Sequence, residues 1–99
     1  MEAQVIHNGV VIAESRKYIK LEGNVYFPPD TIVTAYYRLS PTRTACPIKG
    51  LASYLTIDMG DGSEPLTDAA WYYPEPKKGH EHIANHVAFY SNKVSVQLP

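Results

Sequence analysis

A chain of 99 residues buries enough apolar surface for one core and not for two, so a single domain over residues 1–99 is expected. With 9 Lys and Arg against 10 Asp and Glu, and 19% charged residues in all, it lacks the basic footprint that nucleic acid or an anionic membrane surface requires. A single cysteine excludes an internal disulfide and falls short of a structural zinc site; no apolar leader-like run opens the chain and no stretch is long enough to span a bilayer, so a cytoplasmic protein is expected.

Asn8-Gly9, between Ala3–His7 and residues 10–14, is the strongest two-residue hairpin signal, because both central positions need positive φ. Residues 18–21 and 25–27 read as a second antiparallel pair around Glu22-Gly23-Asn24. Pro28-Pro29 ends that pair, since proline lacks the N–H a ladder needs, and Asp30 suits a turn or one short helical turn. Residues 32–39 fit strand and helix equally. Over 52–59 the pattern alternates, with Leu55, Ile57 and Met59 on one face and Tyr54, Thr56 and Asp58 on the other, before Gly60-Asp61-Gly62 turns the chain. Residues 69–73 follow as a strand. Ile83 and Val87 at helical spacing predict a short helix over 78–86, the longest of the chain, although Gly79 weakens its start. Residues 87–90 and 94–98 are expected to close as a hairpin around Ser91-Asn92-Lys93. About seven short strands with regular turn signals predict a mainly β fold: a compact antiparallel β-sandwich or barrel-like sheet with one or two short helices.

Cys46 precedes Pro47, which biases the cysteine to an extended backbone and gives the thiol a fixed direction. Lys49 in the same turn would favour the thiolate. These residues suit an activated thiol, with His86 as a base brought from elsewhere in the fold. A free cysteine is more often a buried small hydrophobe, however, and no orienting third residue can be placed. Gly50 is suited to a positive φ or to close backbone packing.

Eight tyrosines are the other oddity, with Tyr36-Tyr37, Tyr54 and Tyr72-Tyr73 standing near Trp71. Alternation puts Trp71 and Tyr73 on one face and Tyr72 on the other. If that face is core, Trp71 is largely buried with Leu55, Ile57, Val87 and Phe89 around it. If it is a pocket beside the 44–54 loop, then Tyr54, Trp71 and Tyr73 supply aromatic walls and Arg43, Cys46 and Lys49 a polar end suited to an anion. His82 and His86, spaced i and i+4, give two metal ligands with His80 offset, too few for zinc, so neither a metal nor a cofactor is expected.

Three segments carry a family resemblance: Thr44-Ala45-Cys46-Pro47-Ile48-Lys49-Gly50-Leu51-Ala52-Ser53-Tyr54, Asp68-Ala69-Ala70-Trp71-Tyr72-Tyr73-Pro74-Glu75-Pro76 and Val87-Ala88-Phe89-Tyr90. Together with Tyr26-Phe27-Pro28-Pro29-Asp30 they resemble the small bacterial family called Domain of Unknown Function 427 over most of the chain. The resemblance implies a compact, mainly β domain without an established reaction. Ile48 departs from it, standing where similar members commonly carry an aromatic residue, and Leu55 is a second departure. A nucleotidyltransferase label accompanies the family. The palm type of that enzyme needs Gly-Ser for phosphate and, about ten residues later, paired acids for two metals. Gly62-Ser63 falls in a predicted hairpin turn and Asp68 supplies one acid where two are required, so the residues do not support the label. The leading expectation is a small-ligand or protein-interaction module. The alternatives are an enzyme with Cys46 as nucleophile and a structural or oligomerisation domain, whose partners would be a small molecule, another protein or a second copy in a homodimer.

Overall fold

The computed structural model describes residues 2–99. Strands β1 (Ala3–His7) and β2 (Val10–Ser15) pair antiparallel across Asn8 and Gly9, whose φ values of 52° and 77° are the two left-handed residues a tight hairpin turn needs. Strands β3 (Ile19–Leu21) and β4 (Asn24–Tyr26) form a second hairpin. Its turn is the two residues Glu22 and Gly23, at φ 52° and 80°, so Asn24 already belongs to the strand. Phe27 then bridges Val87 through two backbone hydrogen bonds of 2.8 Å.

After two 3-10 turns, Pro29–Thr31 and Thr34–Tyr36, comes the larger sheet. It contains β5 (Tyr37–Cys46), β6 (Gly50–Ile57), β7 (Leu66–Tyr72) and β8 (Ala88–Phe89), antiparallel and in that spatial order. The ambiguous stretch 32–39 thus divides, a short helical turn leading into strand. The last strand, β9 (Ser95–Gln97), pairs with β1 to complete a three-stranded sheet ordered β2-β1-β9.

Two expectations are overturned here. Residues 87–90 and 94–98 do not fold back on each other, because β8 is taken by β7 and the Tyr90 N–H donates to the Ala69 carbonyl at 3.0 Å. Residues 91–94 instead carry the chain from one sheet to the other. The helix over 78–86 shrinks to one 3-10 turn, Glu81–Ile83. Left-handed residues flank it, Gly79 at φ 95° and Asn85 at φ 60°. Backbone groups beyond the turn are spent sideways: the Asn85 N–H donates to the Tyr73 carbonyl at 3.0 Å, and Ala84 bridges Tyr73. Among the described residues no helix is long and apolar enough to cross a membrane.

The two larger sheets stack as a sandwich and do not close into a barrel. Between them lies the main core, with Val5 and Ile12 from the small sheet, Leu55, Ile57, Ala70 and Phe89 from the large one, and Phe27 and Val87 from the bridge. On the other face of the large sheet, the β3–β4 hairpin and the 81–83 turn cover a second cluster of Tyr26, Ala52, Trp71, Tyr73, Ile83 and Ala88. That second, partly covered face holds the candidate site.

Candidate functional site

The register of β6 on β7 decides which residues share the site. Tyr54 lies opposite Trp71 and Leu55 opposite Ala70, so alternation sends Leu55 and Ala70 to the main core and Tyr54 and Trp71 to the opposite face. Trp71 is buried, at 8% exposure, but not among Leu55, Ile57, Val87 and Phe89. Its packing partners are Tyr26, Tyr73, Ile83 and Ala88, with the Tyr26 ring edge-on at 6.4 Å and the Tyr90 ring tilted at 4.6 Å between centroids. Leu55 and Phe89 each stand one residue along from Tyr54 and Ala88, which is enough to pack them into the main core, although Phe89 also reaches the lining of the Trp71 side.

On this face opens a cleft of about 430 Å³. Tyr26, Tyr54, Trp71, Tyr73, Phe89 and Tyr90 give it aromatic walls, while Lys49 stands at one end and Asn24, Ser91 and Asn92 add polar groups. Trp71 and Tyr73 belong both to the second core cluster and to the cleft wall, so core and pocket are two sides of one aromatic layer.

Lys49 is the one charged wall residue, and only 8% exposed. Its ammonium pairs with the Glu22 carboxylate from the β3–β4 turn. This hydrogen bond lowers the pKa of Glu22 and raises that of Lys49, so the amine stays protonated at neutral pH. Burial, first among the causes, pushes Tyr73 up to about 12. Tyr90 is likewise pushed up to about 12, first by the neighbouring Tyr54 hydroxyl and then by burial. Tyr26 is raised by burial too. These phenols are therefore hydrogen-bond donors throughout the neutral range. The Tyr54 hydroxyl also shares a 2.9 Å hydrogen bond with Thr44 Oγ1.

Backbone geometry presses Lys49 into place. Gly50 holds φ 111°, and a Cβ there would stand 3.2 Å from the Glu75 carbonyl oxygen. The Lys77 N–H donates to the Lys49 carbonyl at 2.9 Å and Lys77 Nζ to the Pro47 carbonyl at 3.0 Å, so the 74–77 segment straps the β5–β6 turn.

Four of the six expected ligand contacts, Lys49, Tyr54, Trp71 and Tyr73, line the cleft; Arg43 and Cys46 are not wall residues. Arg43 pairs with Ser53, one position off Tyr54, which puts it on the opposite face. Its guanidinium donates to the Ser40 and Thr42 carbonyls, both at 2.8 Å. Cys46 is half-buried against the second cluster. The Lys49 N–H donates to its Sγ at 3.3 Å, and this bond, with one from Ile48, holds the thiol pKa below its ordinary value. His86 is not a wall residue; its Nδ1 lies 2.9 Å from the Ala84 carbonyl oxygen. Ile48 is exposed on the turn and Leu55 is buried in the main core, so neither departure from the family pattern falls on the cleft.

Asn24, Tyr26, Phe89, Tyr90, Ser91 and Asn92 also line the cleft, and Glu22 is the partner of Lys49, none of them foreseen in these places from the sequence. Their signal was weak. Each sits in or beside a turn remote in sequence from Lys49 and Trp71, and only the packing of the β3–β4 hairpin on the large sheet, beside the chain leaving β8, assembles them.

Asp68 has a different duty. It occupies a bulge in β7 with φ 53°, and its carboxylate accepts hydrogen bonds from Ser40 Oγ at 2.5 Å and Thr42 Oγ1 at 2.7 Å. These lower its pKa and clamp the matching irregularity in β5 between Leu39 and Arg43. Gly62-Ser63 lies in an exposed turn where Asp61 Oδ1 accepts from both the N–H and hydroxyl of Ser63. Among the described residues no group of three or more His, Cys, Asp or Glu is placed to hold a metal ion.

A second groove of about 370 Å³ lies over Pro29, Ile32, Leu39, Leu55, Tyr72, Asn85 and Val87. Its walls are apolar save for Asn85 and the Tyr72 hydroxyl, so it offers little to orient a small ligand.

A comparison with curated proteins gives no match. A family model described as "Domain of unknown function (DUF427)" matches residues 1–98, and the chain belongs to that family.

Proposed function

We propose that the chain is a small-ligand-binding module and that its site is the cleft walled by Tyr54, Trp71, Tyr73 and Lys49. One observation carries the reading: these residues, drawn from the β5–β6 turn, β6 and the β7 end, converge on a single cavity with the polar residues Asn24 and Asn92. Its volume of about 430 Å³ falls inside the roughly 300–1,000 Å³ common for small-molecule sites, and its mix of aromatic wall with a few polar groups is the usual composition. Lys49 held protonated by Glu22 is a hydrogen-bond donor and not an amine nucleophile, which favours binding over Schiff-base chemistry.

An enzyme built on Cys46 is the second reading, favoured by the backbone hydrogen bonds that hold its thiol pKa down. It ranks below the first because Cys46 and His86 stand outside the cleft wall.

The test uses Trp71, the only tryptophan of the chain, as an intrinsic fluorophore. Titration with the ring fragments cyclohexane-1,2-diol, nicotinamide and benzoate is expected to change its emission saturably for at least one probe, and Tyr54→Ala to weaken that response several-fold. Emission that stays flat with every probe contradicts a ligand site at Trp71.

A further inference from the structure

We infer that the ligand of this cleft is a neutral, polyhydroxylated ring of hexose size, recognised through its hydroxyls by the wall residues Lys49, Asn24 and Asn92, with Glu22, outside the wall, neutralising Lys49. This rests on the ligand-binding reading above and adds the chemical class. Charge decides against an anion. Lys49 is the one ionic wall residue, and its ammonium is already matched by Glu22. A ligand carboxylate or phosphate would have to displace Glu22 from Lys49, exchanging one anion for another with little net electrostatic gain. Lys93 adds no free cation at the wall: it lies 5.5 Å over the Tyr90 ring and donates to the Thr67 carbonyl at 3.0 Å.

With its charge matched by Glu22, which is not itself a wall residue, Lys49 offers an ammonium N–H to an uncharged acceptor such as a hydroxyl oxygen. Asn24 and Asn92 each carry a side-chain amide with both a donor and an acceptor, the pairing that a vicinal diol requires. The Tyr73 phenol on the wall, kept protonated by burial, adds a hydroxyl that does not repel a hydroxyl-rich ligand. Tyr54, Trp71 and Tyr90 supply aromatic surface for the C–H faces of such a ring. A purely apolar ligand would leave these polar groups desolvated without partners, which opposes it.

Isothermal titration calorimetry with D-glucose, D-mannose and D-galactose, set against inorganic phosphate and benzoate, tests the inference. At least one hexose is expected to bind saturably while phosphate and benzoate do not. Asn92→Ala should weaken that hexose about tenfold by removing a wall amide. Glu22→Gln, a change on an exposed turn, should leave Lys49 unopposed and so admit benzoate or phosphate. Binding of the anions alone by the unaltered protein overturns the neutral-polyol class while leaving the cleft as a ligand site. Hexose binding that Asn92→Ala leaves unchanged places the sugar elsewhere and also overturns it. No heat with any hexose overturns it as well, and the Trp71 fluorescence response to non-sugar fragments then decides separately whether the cleft binds ligands at all.

Discussion

Gly50 sets the position of Lys49, and its role is steric. A methyl group added at φ 111° would crowd the Glu75 carbonyl, and the left-handed backbone itself disfavours a side chain, so Gly50→Ala should cost about 1–3 kcal/mol in chemical denaturation. A loss below that range would mean the 74–77 strap yields easily. Trp71→Ala should cost about 3–5 kcal/mol and unfold much of a domain this small; an unchanged thermal midpoint would contradict its place in the second core cluster. At Cys46 the backbone hydrogen bonds from Lys49 and Ile48 stabilise the thiolate, so the rate of alkylation by iodoacetamide should rise at lower pH than for an unfolded-chain cysteine. A profile matching free cysteine would remove the hydrogen-bond account. Much at this scale was readable in sequence: the adjacency of Lys49 to a glycine, and the clustering of Tyr54, Trp71 and Tyr73. Glu22 was not readable, because its partner lies 27 positions away and nothing local marks it.

Element by element, legibility followed turn chemistry. Asn8-Gly9 and Glu22-Gly23 specified their hairpins because two consecutive left-handed residues leave the chain few other turns. The 78–86 stretch misled because Ile83 and Val87 have helical spacing for a different reason: Ile83 fills the second cluster and Val87 the main core, from a non-helical chain. The bulge at Asp68 was equally hidden. Its φ of 53° in mid-strand is tolerated because Ser40 and Thr42 hold the carboxylate, a device also found where strands are re-aimed near sites. Asp68→Asn, which keeps one acceptor and an amide that accommodates left-handed backbone, should therefore cost about 1 kcal/mol. Asp68→Ala, losing both, should cost more. Equal costs in urea unfolding would show that the carboxylate contributes nothing beyond its shape.

For the whole molecule, the sandwich was legible from strand count and alternation, whereas the pairing of β9 with β1 was not, since a short C-terminal strand carries no label for its partner. The assembled structure predicts a stability profile with two arms. Tyr37 is raised strongly by burial, Tyr73 and Tyr90 are pushed up to about 12, and Lys49 is raised by Glu22. Raised groups contribute stability that is full below their unfolded values, so the melting temperature should begin to fall as pH passes the ordinary tyrosine value of 10.0 and continue falling through about 12. Glu22 and Asp68 are lowered by their hydrogen bonds. Their contribution is full above the ordinary carboxylate values of 4.5 and 3.8 and is lost as pH falls through their lower folded values. The acid arm should be the shallower, because Glu22 is exposed to screening solvent and Tyr37 is not. A melting temperature that stays level from pH 9 to 12 would contradict the burial of these phenols.

The proposed ligand site is the cleft at Lys49. Its most direct test is an amide chemical-shift map of the labelled protein titrated with cyclohexane-1,2-diol, nicotinamide and benzoate. The account predicts saturable shifts grouped at residues 22–26, 49–54, 71–73 and 89–92. Shifts grouped instead around Pro29, Ile32, Leu39 and Val87, or none that saturate, would contradict it.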